Sequence, residues 1–139
     1  MIITDQLKLN EITQAIIGSA IEVHKLLGPG LLERVYHECL YYELKQKKFY
    51  VQSEPSLAFS YKDSEIGFDL RPDLIVEESV IVELKAVTTM HPVFEAQLLS
   101  YLKLTGLKTG LLINFWVPYL KKGIIRRSMF DSQASIDTQ

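Results

Sequence analysis

The stretch Leu70-Arg-Pro-Asp-Leu-Ile-Val-Glu-Glu-Ser-Val-Ile-Val-Glu-Leu-Lys-Ala-Val87 decides the fold, because two alternating apolar runs flank a short polar break. Phe68 to Val76 and Val80 to Val87 read as strands, with Glu77-Glu78-Ser79 as the turn between them. In the second run Val80, Val82, Leu84 and Ala86 share one face, and Ile81, Glu83, Lys85 and Val87 share the other. In the first run Leu70, Pro72, Leu74 and Val76 lie on one face, and Asp69, Arg71, Asp73 and Ile75 on the other. A three-residue turn pairs Val76 with Val80, and counting back sets Asp73 opposite Glu83 and Arg71 opposite Lys85. A two-residue turn would put Asp73 opposite Val82 and mix the polar and apolar faces, so the pattern selects the first register.

Upstream, Leu57 to Tyr61 reads as a further strand and Lys62 to Glu65 as a turn. Asn10 is a candidate N-cap for a helix carrying Ile12, Ile16, Ala20, Val23 and Leu27, stopped by Gly28-Pro29-Gly30. A second helix is expected from about Leu31 to Lys47, with Val35, Tyr36, Cys39, Leu40 and Leu44 on its buried side. Lys45, Lys47 and Lys48 crowd its end, where cations complement the helix dipole. Downstream, His91-Pro92 starts a helix and Gly106 ends it. Leu111 to Val117 then reads as a strand covered on both faces, and Gly123 to Phe130 as a weaker edge strand. The crossover through the Pro92–Thr105 helix makes the Leu111 strand parallel to the Val80 strand. The expected class is α/β with a mixed sheet, in the order α-α-β-β-β-α-β plus an extra C-terminal edge strand.

The length of 139 residues is that of one domain, expected over residues 1–131, with 132–139 as a flexible polar tail. Hydrophobic residues make up 47% and charged residues 23%, which excludes a disordered or fibrous chain. Fifteen Lys and Arg against 17 Asp and Glu, a net charge of −2, argue against an indiscriminate polyanion binder. The lone Cys39 excludes an internal disulfide and any four-cysteine metal site. No apolar run is long enough to cross a bilayer and Met1 to Asp5 shows no secretory signal, so a cytoplasmic location is expected.

Two carboxylates facing each other across a strand pair repel, and here Ile75 and Ile81 flank them. Such a pair needs a cation: Lys85 or Arg71, or a divalent metal. An all-oxygen donor set suits Mg²⁺ or Mn²⁺ rather than zinc, and such a metal would serve phosphoryl chemistry. Lys85, two residues beyond Glu83 on the same face, would orient water or offset charge. The plainer account of these three residues is a solvated salt-bridge face. Other polar residues have structural accounts too. His24 and His91 lack a second histidine or cysteine at ligand spacing, His37 sits beside Glu38 on a helix, Tyr41, Tyr42, Phe49 and Tyr50 fit core and rim, and Trp116 fits core. Lys121, Lys122, Arg126 and Arg127 fit a solvated edge strand as well as a phosphate-binding rim.

Pro72-Asp73 followed after nine residues by Glu83-Leu84-Lys85 resembles the PD-(D/E)XK signature of the restriction-endonuclease-like nucleases. Gln97-Leu-Leu-Ser-Tyr101 is similar to the Q-x-x-x-Y motif of the RecB-like branch, and Gly30-Leu-Leu-Glu33-Arg-Val-Tyr36 resembles the motif of the GxxExxY protein family. The resemblance implies a restriction-endonuclease-like α-β-β-β-α-β core and a Mg²⁺- or Mn²⁺-dependent nuclease that acts on DNA and leaves a 5′-phosphate. It implies that Asp73, Glu83 and the Leu84 carbonyl bind metal, with Glu33 as an additional carboxylate. Lys85 would be the catalytic lysine, with Gln97 and Tyr101 flanking the site. Cys39 alone cannot supply the iron–sulfur cluster of some RecB-like members. A non-catalytic module on the same fold, binding nucleic acid or accessory to a larger DNA-processing protein, is the alternative, and a homodimer stays open.

Overall fold

The computed structural model describes residues 2–67 and 69–129. The expectations for Phe68, Phe130 and the 132–139 tail fall outside those residues.

A five-stranded mixed sheet, in the order β1-β4-β5-β6-β7, separates two helices on one face from a single helix on the other. Helices α1 (Ile2–Leu27) and α2 (Glu33–Gln46) precede the short strand β1 (Val51–Ser53). A small hairpin of β2 (Ser60–Tyr61) and β3 (Ser64–Glu65) stands apart from the main sheet. Then come β4 (Leu74–Val76), β5 (Val80–Lys85), α3 (Pro92–Thr105), β6 (Thr109–Asn114), a 3₁₀ turn and β7 (Ile124–Ser128). The sequence α2-β1-β4-β5-α3-β6 is the expected α-β-β-β-α-β core, and β7 is the expected edge strand.

The decisive hairpin closes as the faces require: Val76 pairs with Val80, Ile75 with Ile81 and Leu74 with Val82. β5 and β6 run parallel, joined by α3. His91 caps α3, its Nδ1 accepting from Val93 N at 3.1 Å, and Pro92 opens the helix. Gly106 ends it in the left-handed conformation (φ 78°), which favours glycine. A side chain at Gly110 would lie 2.6 Å from Leu98 Cδ1, so glycine there lets α3 approach β6 closely.

Several expectations are corrected. Asn10 is not an N-cap: α1 begins at Ile2, and Asn10 Oδ1 instead accepts from Arg126 at 2.7 Å. Nothing between Ile2 and Leu9 breaks a helix, so the helix continues through Asn10. α2 spans Glu33–Gln46 rather than Leu31 to Lys47, and Val35 is exposed because the stripe Tyr36-Leu40-Leu44 takes the core. The first strand of the core is β1, not Leu57 to Tyr61. Leu57 makes only an isolated bridge to Leu70, and Ser60–Tyr61 folds back on Ser64–Glu65. Lys62 and Asp63 at that tip both have positive φ (51° and 65°), the two-residue hairpin geometry. β1 escapes a reading by pattern because three residues, of which only Val51 is buried, carry no readable period.

Three strands are shorter than expected. Pro72 has no N–H for a ladder and the Asp73 N–H goes to a side chain, so β4 starts at Leu74 rather than near Phe68, and Arg71 and Lys85 never pair. β5 stops at Lys85 because Asn114 takes both backbone groups of Val87: Asn114 Nδ2 donates to Val87 O at 3.0 Å, and Val87 N donates to Asn114 Oδ1 at 3.2 Å. β6 ends at Asn114 rather than Val117.

Candidate active site

Asp73 sits one residue before β4, opposite Glu83 if the ladder register is extended by one step. The two side chains bind each other's strands. Asp73 N donates to Glu83 Oε2 at 2.7 Å, and Leu84 N donates to Asp73 Oδ2 at 2.7 Å. Glu54 N fixes the Asp73 carbonyl from the β1 side at 2.8 Å. Each carboxylate thus spends one oxygen on backbone. Asp73 Oδ1 and Glu83 Oε1 take no hydrogen bond from the described residues.

Burial and mutual repulsion make this pair costly to ionise. Glu83, buried beside Ile81 and Leu84, has its carboxyl pushed up to about 8, first by desolvation and then by the Asp73 charge. Asp73 is raised chiefly by desolvation, against which the Leu84 N–H, His37 and Lys85 act. Glu33, the first residue of α2, is also raised, by desolvation and then by Asp73, while Lys85 lowers it. Glu33, Asp73 and Glu83 therefore share one electrostatic neighbourhood with Lys85.

Lys85 ends β5 and makes no ion pair among the described residues. Its Nζ lies 4.4 Å from the centre of the Phe94 ring. α3 contributes Tyr101, whose hydroxyl is raised by desolvation and then by Glu83. Gln97 is exposed one turn earlier, its Nε2 donating to Tyr101 Oη at 3.3 Å. The Leu84 side chain is core and its N–H is committed to Asp73, which leaves its carbonyl as the group a cation could use.

The donor chemistry fits a hard divalent cation. Two carboxylates each present an oxygen without a hydrogen bond, and an opposite charge would relieve the strain that raises both. Among the described residues no group of three His, Cys, Asp or Glu forms a ready-made cage. Mg²⁺ does not require one, since it binds through one or two carboxylates, waters and substrate phosphates.

Three residues that shape this site were not singled out for it from the sequence. His37 is buried, with Nε2 2.8 Å from Ser53 Oγ, and it lowers the Asp73 carboxyl. Phe94 packs on Lys85, and Asn114 pins the chain just beyond it. Asn114 was visible as the polar break in an apolar run; Phe94 and His37 carried no such signal. The remaining expectations resolve structurally. His24 Nε2 is bonded to Val117 O, and Trp116 Nε1 donates to Leu31 O. Tyr41 and Phe49 pack against the core, and Tyr42 and Tyr50 are exposed at its rim. Arg127 pairs with Glu95 at 2.8 Å, which suits the solvated edge strand. Among the described residues no helix is long and apolar enough to cross a membrane.

In comparisons with known proteins, the sequence model of the PD-(D/E)XK nuclease superfamily matches residues 10–127, which include both carboxylates, Lys85 and all three helices in whole or part. No curated protein and no solved structure matches the chain.

Proposed function

Because the chain belongs to the PD-(D/E)XK nuclease superfamily, we propose that it is a divalent-cation-dependent phosphodiesterase that hydrolyses DNA, with Mg²⁺ or Mn²⁺ as cofactor. One observation carries the reading: Asp73 and Glu83 are interlocked across the β4–β5 hairpin, each with one oxygen left over, beside Lys85. A salt-bridge face would have paired Lys85 with a carboxylate, and it is not so paired among the described residues.

Asp73, Glu83 and the Leu84 carbonyl would hold the cation, with Glu33 approaching from α2. When bound, the cation polarises a phosphate oxygen and lowers the pKa of a coordinated water. Lys85 orients the attacking water and offsets the negative charge that grows on the phosphoryl oxygens. Attack at phosphorus breaks the bond to the 3′-oxygen, leaving a 5′-phosphate and a 3′-hydroxyl. Tyr101, with Gln97 bonded to it, flanks the scissile phosphate. Gln97 and Tyr101 support a RecB-like Q-x-x-x-Y assignment, and Gly30, Glu33 and Tyr36 support membership of the GxxExxY group. The Tyr36 hydroxyl donates to Gly28 O at 2.6 Å and accepts from Leu31 N at 3.1 Å, which braces the loop leading to Glu33. We assign the protein to the cytoplasm, and either a second copy or a larger DNA-processing protein would supply any further DNA contacts.

The test compares DNA cleavage by the parent, Asp73→Ala and Lys85→Ala proteins with Mg²⁺ or Mn²⁺. Cleavage that persists in both folded variants would sink the mechanism. A second reading, a non-catalytic nucleic-acid-binding module, draws on the lack of a three-residue metal cage among the described residues. Calorimetric titration of Mn²⁺ separates the two, since carboxylate-dependent uptake favours the enzyme.

A further inference from the structure

We infer that Phe94, in the first turn of α3, is the positioning residue for Lys85: its ring holds the lysine ammonium and keeps it from closing onto the Asp73–Glu83 pair. The Lys85 Nζ lies 4.4 Å from the ring centre. It makes no ion pair among the described residues, although Glu33, Asp73 and Glu83 all feel its charge. A lysine carries its compact charge on a flexible four-carbon stem, so several carboxyl partners compete for it here. The negative face of an aromatic ring is the attraction that opposes them.

The ring is itself well placed to act as an anchor. Phe94 N donates to His91 O at 3.0 Å, Pro92 opens the same turn, and the half-buried side chain packs on the cluster of Ile75, Ile81 and Leu98. The start of α3 thereby sets the position of a side chain on β5. A collapsed lysine would cover the very oxygens, Asp73 Oδ1 and Glu83 Oε1, that the described residues leave without hydrogen bonds. Phe94 thus separates two roles in one small space: the carboxylates stay open and the ammonium stays near them. The catalytic consequence rests on the phosphodiesterase reading; the placement of Lys85 does not.

The experiment uses Phe94→Leu and Phe94→Tyr in the full chain, with circular dichroism and melting to establish folding. In protein labelled with ¹³C-lysine, the Lys85 ε-CH₂ resonance, assigned by its loss in Lys85→Arg, should be shifted upfield by the ring current in the parent. The shift should vanish in Phe94→Leu and persist in Phe94→Tyr. In cleavage assays Phe94→Leu should lower kcat roughly tenfold with little change in KM for DNA, and Phe94→Tyr should restore it. An ε-CH₂ resonance that is the same in the parent and in Phe94→Leu overturns the inference, as does equal impairment of the Leu and Tyr variants. If the parent cuts no DNA, the phosphodiesterase reading falls, and the lysine resonance still decides where Phe94 holds Lys85.

Discussion

The two faces of the central sheet are made by the same strands and have opposite contents. Toward α1 and α2 the sheet presents Leu74, Val76, Val80, Val82, Leu84, Leu111 and Ile113, all apolar and fully buried. Toward α3 it presents Ile75, Ile81 and Leu112, and then, in line with Ile81, Glu83 and Lys85. A strand's period of two lets β5 anchor the fold with alternate residues and carry the chemistry with the ones between. The charged face is also the thinner one, covered by a single helix. The two faces therefore divide the labour: substitutions on one should cost stability, and those on the other should cost activity.

The largest contrast should come from Lys85→Ala set against Leu111→Ala. The lysine variant is expected to lose on the order of a hundredfold to a thousandfold in DNA cleavage, while its melting temperature stays close to the parent's. Leu111→Ala empties a fully buried site opposite α1 and α2, and urea unfolding should show a loss of about 2–5 kcal/mol. A Lys85→Ala protein as unstable as Leu111→Ala would dissolve the distinction between the faces.

Next in size is a pH effect centred on the Asp73–Glu83 pair. Glu83 is raised from 4.5 to about 8 in the folded protein, so the native state holds a proton that the unfolded chain releases. The stability gained is fully present below about pH 4.5 and disappears as the pH rises through about 8. Asp73 and Glu33 are shifted in the same direction. Melting of the metal-free protein should therefore fall by several degrees between about pH 5 and pH 8, and Glu83→Gln should flatten most of that slope.

A smaller shift should come from ligand linkage at the same place. At pH 8, millimolar Mn²⁺ should raise the parent melting temperature by a few degrees and leave Asp73→Ala unmoved. An equal rise in both would place the bound ion elsewhere. The smallest effect should be at Arg34, whose pairs with Glu38 and Glu54 are solvent-exposed. Arg34→Ala should change unfolding free energy by less than about 1 kcal/mol and leave cleavage intact, as expected of exposed pairs that belong to neither face of the sheet.

How much of this was legible in the chain depends on the range of the interactions. Alternation and a three-residue turn set Val76 against Val80, and the pairing came out as read over Leu74 to Val76 but not as far back as Arg71. Proline and glycine marked the limits of α3 at Pro92 and Gly106, and hence the parallel pairing of β5 with β6. The errors lie where pattern is short or ambiguous. β1 offered a single buried residue, Leu57 to Tyr61 alternated without joining the sheet, and Val35 fell just outside its helix's buried stripe. Within the site, Asp73, Glu83 and Lys85 were readable as near neighbours along one hairpin. Phe94 and His37 were not, since nothing local ties either residue to that hairpin.

The sequence by itself determined the hairpin register, the sidedness of its charges and the parallel crossover, because these depend on periods of two and on breakers that act within a few residues. Only the tertiary structure decided that Glu33 on α2 feels the charges of Asp73 and Lys85, that Tyr101 feels the charge of Glu83, and that the Lys85 ammonium lies 4.4 Å from the Phe94 ring centre. It also decided that Glu83 keeps its proton to about pH 8. Desolvation and long-range charge belong to the packed neighbours of a residue, and those neighbours arrive from distant parts of the chain.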